Sequence, residues 1–358
     1  MRVDVVEQLG DLAPAWDELV DRQAMPSAFL RSWWLGAAAA GRPQVVCCFD
    51  GDELVGGAAF EVDAIGRGGT GLERVRSLGQ GPLAPDHLDV VAAPGRRAEV
   101  AREVLGWLRR PGSRLVDLDG LAATGALARV LSRHEMTRTG APFSPLPADL
   151  DAYLADRPGQ LRSTISRTRK RMVKAGATIR RVGPDDADRA LADLARLHDH
   201  RWADDSGFLD AWDRFERAAR AGLQDGSVVV HEAVDADGQV VATELDVRAA
   251  TSIAFYQAGR STDREWRGVG SVLKADVVGW AIEHGATEYD LLRGDEAYKS
   301  DWATDRREVV RVRFGSGTAG RAVAVAATAW FRARSVQVAA SAELARRRAE
   351  RDEPSAEA

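Results

Sequence analysis

Gln239-Val-Val-Ala-Thr-Glu-Leu-Asp-Val247, Thr251-Ser-Ile-Ala-Phe-Tyr-Gln-Ala258, Arg267-Gly-Val-Gly-Ser271 and Ala286-Thr-Glu-Tyr-Asp-Leu-Leu292 follow one another along the chain, and their order decides the fold. The first two read as strands. The segment from Gly270 to Glu283 has helical period, with Leu273, Val277, Trp280 and Ala281 on one stripe, and a third strand follows it. A glycine turn thus opens a helix. The first N–H groups of a helix have no internal partner and lie at the positive end of its dipole. Glycine lets a phosphate come close to them. Arg267, Gly268, Val269, Gly270 and Ser271 are therefore the candidate phosphate-holding turn.

The rest of the chain sets bounds on this centre. Its 358 residues exceed the usual single core, so two domains are expected. An apolar share of 45% with 29% charged residues is that of an ordinary globular protein. The net charge of −5 gives no global sign of nucleic-acid or polyanion binding, and no DNA partner is expected. Basic character is local. Arg162, Arg167, Arg169, Lys170, Arg171 and Lys174 crowd one helix, and no acid lies between Asp156 and Asp185. Such a face reads either as solvated surface or as contact with an anionic group. Cys47 and Cys48 are adjacent in an apolar run and read as buried, inert thiols. No signal core and no apolar run of roughly 20 residues is seen, so a cytoplasmic location is expected.

Upstream, Gln44–Phe49 and Leu54–Phe60 read as a hairpin, followed by a strand, a helix, a strand and a helix. Ala141-Pro-Phe-Ser-Pro-Leu-Pro147 is expected to break helix and strand alike, which places a connector at 141–149. The second half then reads β-α-α-β-β-β-α-β, an irregular run and a last strand. The first half shows similar parts in similar order. A long helix from Ala319 to Arg348 and a charged tail close the chain.

Several phrases together carry a family resemblance: Leu197-His-Asp-His-Arg-Trp202, Phe255-Tyr-Gln-Ala258, the glycine turn, and Asp290-Leu-Leu-Arg-Gly-Asp-Glu-Ala-Tyr-Lys299 with Trp302. They resemble the CelD-like group of GCN5-related N-acyltransferases (GNAT), related to the FemAB peptidyltransferases. The resemblance implies an α/β (α+β) chain of two tandem GNAT-like domains, each a mixed, mostly antiparallel sheet flanked by helices. Residues 1–140 would be a degenerate domain, 150–315 the catalytic one and 316–358 a C-terminal helix and tail. The family's turn begins with Arg or Gln, where this chain has Glu265 between Arg264 and Arg267. The implied activity is transfer of an acyl group, acetyl foremost, from acyl-coenzyme A to an amine or hydroxyl. The acceptor would be a small molecule or glycan, in exopolysaccharide or envelope assembly, with no metal. Alternatives are an aminoacyl-tRNA donor, or a non-catalytic assembly protein docking to a partner or membrane through the C-terminal helix.

Such chemistry needs a base for the acceptor's proton and a donor for the oxyanion. Glu244 and Asp246 share one strand face, and Glu244 is the candidate base; two carboxylates facing water are the plainer reading. Tyr256 could protonate a thiolate or simply pack in the core. Lys299, in the family's Gly-(three residues)-Tyr-Lys phrase, could hold the oxyanion or an anionic group. His198, Arg201, Trp202, Asp246, Arg293, Asp295 and Tyr298 are candidate substrate contacts. His198 and His200 diverge by about 200° on a helix and make no metal pair. No serine elbow, Walker loop or zinc spacing is present.

Overall fold

The computed structural model describes residues 1–65, 71–202, 207–331 and 333, with the side chains of 200–202 outside that description. The first half runs β1 (Arg2–Val6), α1 (Ala13–Asp21), α2 (Ser32–Leu35), β2 (Arg42–Asp50), β3 (Glu53–Ile65), β4 (Leu72–Ser77) and β5 (Val91–Ala92). It continues through α3 (Arg97–Leu108), β6 (Ser113–Ala122), α4 (Ala126–Val130) and β7 (Glu135–Pro145). The second half opens with α5 (Leu150–Ala155), α6 (Gly159–Lys174), β8 (Thr178–Arg181), α7 (Ala187–Trp202) and α8 (Trp212–Asp225). It ends with β9 (Val228–Val234), β10 (Val240–Ala249), β11 (Ser252–Arg260), α9 (Val269–Glu283), β12 (Glu288–Asp290) and β13 (Asp305–Ser316).

These strands form one mixed, mostly antiparallel sheet. Its order is β1-β2-β3-β4-β6-β13-β7-β12-β11-β10-β9-β8, with β5 beside β3. The halves repeat a pattern. In each, four antiparallel strands are followed by a crossover helix and a strand parallel to the fourth: β4 with β6 around α3, and β11 with β12 around α9. Each half is then completed by the other. β7 pairs with β12, β13 pairs with β6, and β7 and β13 pair with each other at the centre.

This exchange corrects the expectation for the proline stretch. Ala141 to Pro145 is the end of β7, a central strand, and the chain does not break there. Both prolines sit where a missing N–H does no harm. Pro142 faces the β12 side just past Asp290, and its carbonyl accepts from the Leu291 N–H at 2.9 Å. Pro145 lies beyond the Phe143–Asp305 pair with which β13 begins.

Alternation along β10 sorts its residues between two layers. Leu245 and Val247 enter the large core, with α7, α8 and the first half. Glu244 and Asp246 point the other way, where α5, α6 and α9 pack through Tyr153, Leu161, Ile165, Val272 and Val277, beside Tyr289 of β12. Cys47 and Cys48 are buried, which pushes their thiols up to about 12 and about 11. The C-terminal helix is described over 317–331, and the rest of its expected length and the tail lie outside the described residues. No described helix is long and apolar enough to cross a membrane.

Candidate active site

β11 and β12 pair only over Ser252–Glu288, Ile253–Tyr289 and Ala254–Asp290. Beyond Ala254 the two strands part while β11 runs on to Arg260, so a wedge opens in the sheet. A bulge at the same level helps to open it. Between β10 and β11 the register jumps from Leu245–Gln257 to Asp246–Phe255, which leaves Tyr256 as the extra residue.

On the α9 side of the wedge lies a cavity of about 270 Å³, lined by Glu244, Phe255, Gly268, Gly270, Lys274 and Tyr298 among others. Arg267, Ser271 and Arg260 share its wall. Gly268 caps α9 at φ 88°, a backbone that side chains rarely adopt, and a Cβ there would meet Thr168 Oγ1 of α6 at 2.7 Å. Val269 is fully buried and fixes the first turn to the core, while its neighbours' N–H groups start the helix. The exposed basic face of α6 adjoins this turn, where an Arg171 guanidinium donates to the Arg267 carbonyl. No ion pair among the described residues engages Arg162, Arg167, Arg169, Lys170, Arg171 or Lys174.

At the depth of the same cavity is a buried polar cluster. Lys274 Nζ donates to Glu244 Oε1 at 2.8 Å and to the Tyr289 hydroxyl at 3.0 Å. Tyr289 donates to Glu244 at 2.8 Å and stands 3.3 Å from Asp246 Oδ1. Burial, then repulsion from Glu244, pushes the Asp246 carboxyl well above the usual carboxylate range. Burial pulls the Lys274 ammonium down against the attraction of both acids. Glu244 and Asp246 thus do not face water. Glu244 reaches the cavity, and Asp246, fully buried, lines neither cavity.

The opposite side of the wedge holds a larger cavity, about 560 Å³. His198, Phe208, Tyr256, Gln257, Tyr298 and Lys299 line it from the second half, and Pro82, Leu83, Ala84 and Asp86 from the first. The two cavities share Phe255, Ala258 and Tyr298, the last edge-on to Phe255 at 6.3 Å. Tyr256 donates its hydroxyl to the Leu83 carbonyl at 2.7 Å, and burial pushes that hydroxyl up. Lys299 Nζ donates to the Arg293 carbonyl at 2.6 Å and pairs with Glu296 at 3.0 Å, so it braces the loop after β12. Arg293 lines the cavity while its side chain clasps Asp86 and Asp119 of the first half. Asp295 lies on the surface against Arg306, away from both cavities. His198 is buried, tilted on Phe208 with ring centres 5.0 Å apart. The side chains of Arg201 and Trp202 lie outside the described residues.

Sequence reasoning passed over Lys274 and Tyr289, and also the first-half segment Pro82–Asp86. A lysine inside an apolar helix stretch was the available signal for the first; nothing local marks the others.

Residues 159–300 match the acetyltransferase (GNAT) domain model. No curated protein matches the chain. Three solved structures share the fold at low identity. The crystal structure of FemX has a TM-score of 0.63 at 12% identity, covering 87% of this chain and 97% of that one. A conserved protein of unknown function from Bacteroides thetaiotaomicron has 0.60 at 9%, covering 87% and 99%. The C-terminal domain of a putative lysylphosphatidylglycerol synthetase from Agrobacterium fabrum has 0.55 at 14%, covering 88% and 95%. Residues 159–300 match a GNAT-type acetyltransferase domain, and the chain as a whole shares the fold of the FemX structure, two GNAT-like units in tandem.

Proposed function

We propose that the protein is an acyltransferase that moves an acyl group, acetyl foremost, from acyl-coenzyme A to an amine or hydroxyl. The observation that carries this reading is the wedge between β11 and β12, with a helix-opening glycine turn on one side and a second cavity on the other. The pyrophosphate would lie on the N–H groups of Gly268 to Ser271, helped by Arg267. The pantetheine arm would follow β11 toward Phe255 and Tyr298. The acceptor would enter through the larger cavity, past His198, Gln257 and Lys299. Glu244 is the base of this reading, and the two halves meet around the acceptor. Residues 150–315 would then be the catalytic unit and the first half the wall of the acceptor cavity. A glycan or other small polar acceptor suits a cavity with aromatic walls and a polar mouth.

Isothermal titration with acetyl-coenzyme A and with desulfo-coenzyme A tests the donor. Micromolar binding is expected, and its loss in Gly270→Glu. A Cβ at Gly270 meets nothing nearer than Arg260 Cδ at 3.6 Å, so a side chain has room there, and the glutamate would set a carboxylate against the phosphates. Folded protein that takes up neither ligand sinks the reading. Aminoacyl-tRNA is the second donor, supported by the exposed basic face of α6 beside the turn, whose cations form no ion pair among the described residues. Tightly salt-dependent binding of tRNA, with no heat from coenzyme A, would favour it.

A further inference from the structure

The cluster beneath Phe255 holds more charge than a packed core needs. Apart from Lys274, α9 buries only apolar side chains. Exchanging a buried ion pair for apolar residues is often neutral or stabilising, so stability does not account for Lys274 and Glu244. Geometry offers another account. An ammonium has three N–H donors. Glu244 and Tyr289 take two of them. No third hydrogen bond of Nζ is found among the described residues, and Lys274 lines the smaller cavity. There Nζ lies 3.4 Å from the centre of the Phe255 ring, and Phe255 is a wall common to both cavities.

We propose that Lys274 and Glu244 work as an acid–base pair, with Lys274 giving its proton to the departing sulfur of the thioester. This rests on the acyl-coenzyme A reading. The acceptor nitrogen or oxygen attacks the thioester carbonyl carbon and a C–N or C–O bond forms. The acceptor's proton passes to Glu244, directly or through one water. As the C–S bond breaks, a proton moves from Lys274 to sulfur, and free thiol leaves. Glu244 now carries a proton and Lys274 is a neutral amine, 2.8 Å away. Transfer between them restores both, so the cycle closes without an outside proton. Tyr289 holds the pair in register.

The test follows thiol release from acetyl-coenzyme A with hydroxylamine as a small acceptor, in wild-type protein, Lys274→Met and Lys274→Arg. General acids contribute roughly 10²–10⁴ in rate. A loss of about a hundredfold in kcat is expected for both variants, with desulfo-coenzyme A binding unchanged within about threefold. Arginine keeps the charge and the ion pair but does not give up a proton, so it separates chemistry from support. Acetyl transfer from p-nitrophenyl acetate, whose leaving group needs no proton, should slow less than threefold (about one-thirtieth of the loss with the thioester). Full activity in Lys274→Arg, or equal losses with both donors, overturns the proposal. Where Lys274→Met does not fold, Lys274→Arg carries the same test. Wild-type protein that neither binds acetyl-coenzyme A nor releases thiol overturns the donor reading instead, and the pair's role with it.

Discussion

The two halves follow one plan and differ at the place where function would reside. In the second half β11 and β12 share three pairs and then part, leaving a wedge with a cavity on either side. In the first half β4 and β6 share five pairs, from Leu72–Ser113 to Arg76–Asp117. Beyond them the chain fills its own gap. Leu88 bridges to Leu121, its N–H donates to the Gly120 carbonyl, and its carbonyl accepts from Ala122. The segment just before it, Pro82 to Asp86, reaches across to line the second half's larger cavity. One half has closed its site and lent the surplus chain to the other. What a repeated fold does therefore depends on whether its wedge is open, and strand order alone does not tell.

The largest effect should come from matched glycines ahead of the crossover helices. Gly268 and Gly95 both have φ near +80°, at 88° and 79°. Gly268→Ala drives a Cβ into Thr168, whereas Gly95→Ala has open space. Coenzyme A affinity should fall more than tenfold in Gly268→Ala. Gly95→Ala should only lose about 1 kcal/mol of stability from backbone strain, seen in thermal melts. Equal effects on binding would erase the distinction between the halves.

Tyr256→Phe comes next. It strands the buried Leu83 carbonyl, a loss of about 1–3 kcal/mol, and loosens the acceptor wall. Melting should drop by several degrees and the acceptor KM should rise with kcat less affected. An unchanged KM would mean that the first half only props the site.

One buried histidine in each half gives opposite pH responses. Burial opposes charge on His87, but Asp290 at 2.9 Å outweighs it and raises the imidazole above its usual value. Its contribution is full below about pH 6.5 and fades as pH rises through the folded value. Asp290 is held down by His87 and Arg307 against burial, so its share is present above about pH 4 and lost as pH falls through the lower folded value. His87→Asn, whose side chain tolerates the φ of 57°, should therefore cost most melting temperature between about pH 4 and 6.5. His231 is pushed down to about 4, chiefly by burial, and stays neutral where an unfolded chain would take a proton. It weakens the fold as pH drops from about 6.5 toward 4, so His231→Phe should lessen acid sensitivity. Melts at pH 5 and 8 would show the two signs.

The smallest effect is at the departure from the family's turn. Glu265 is exposed just before the glycine turn that opens α9. Glu265→Gln should tighten coenzyme A about twofold at low salt and less at 0.5 M.

Local pattern made much of the second half legible. Alternation gave β10 and β11, the glycines gave the start of α9, and the face shared by Glu244 and Asp246 is as read. Pairing between distant segments was out of reach. Pro142 and Pro145 looked like a break because the partner that excuses them is made only by β12 and β13. The wall at Leu83 and the clasp of Asp86 on Arg293 are equally non-local. Lys274 escaped because α9 is apolar nearly all round, and a single lysine in such a stretch carries no direction until the fold supplies Glu244.

The exchange of β7 and β13 has a consequence for how the chain comes to be folded. During synthesis β7 emerges with neither neighbour yet made, since both of its partners belong to the last part of the sheet. The first half must therefore wait on the ribosome with three unpaired strand edges, one of β6 and both of β7. Its completion is a late, high-contact-order event. Stopping translation after β7 should leave a sticky, protease-sensitive intermediate, and chaperone dependence should end only when β13 has cleared the exit tunnel.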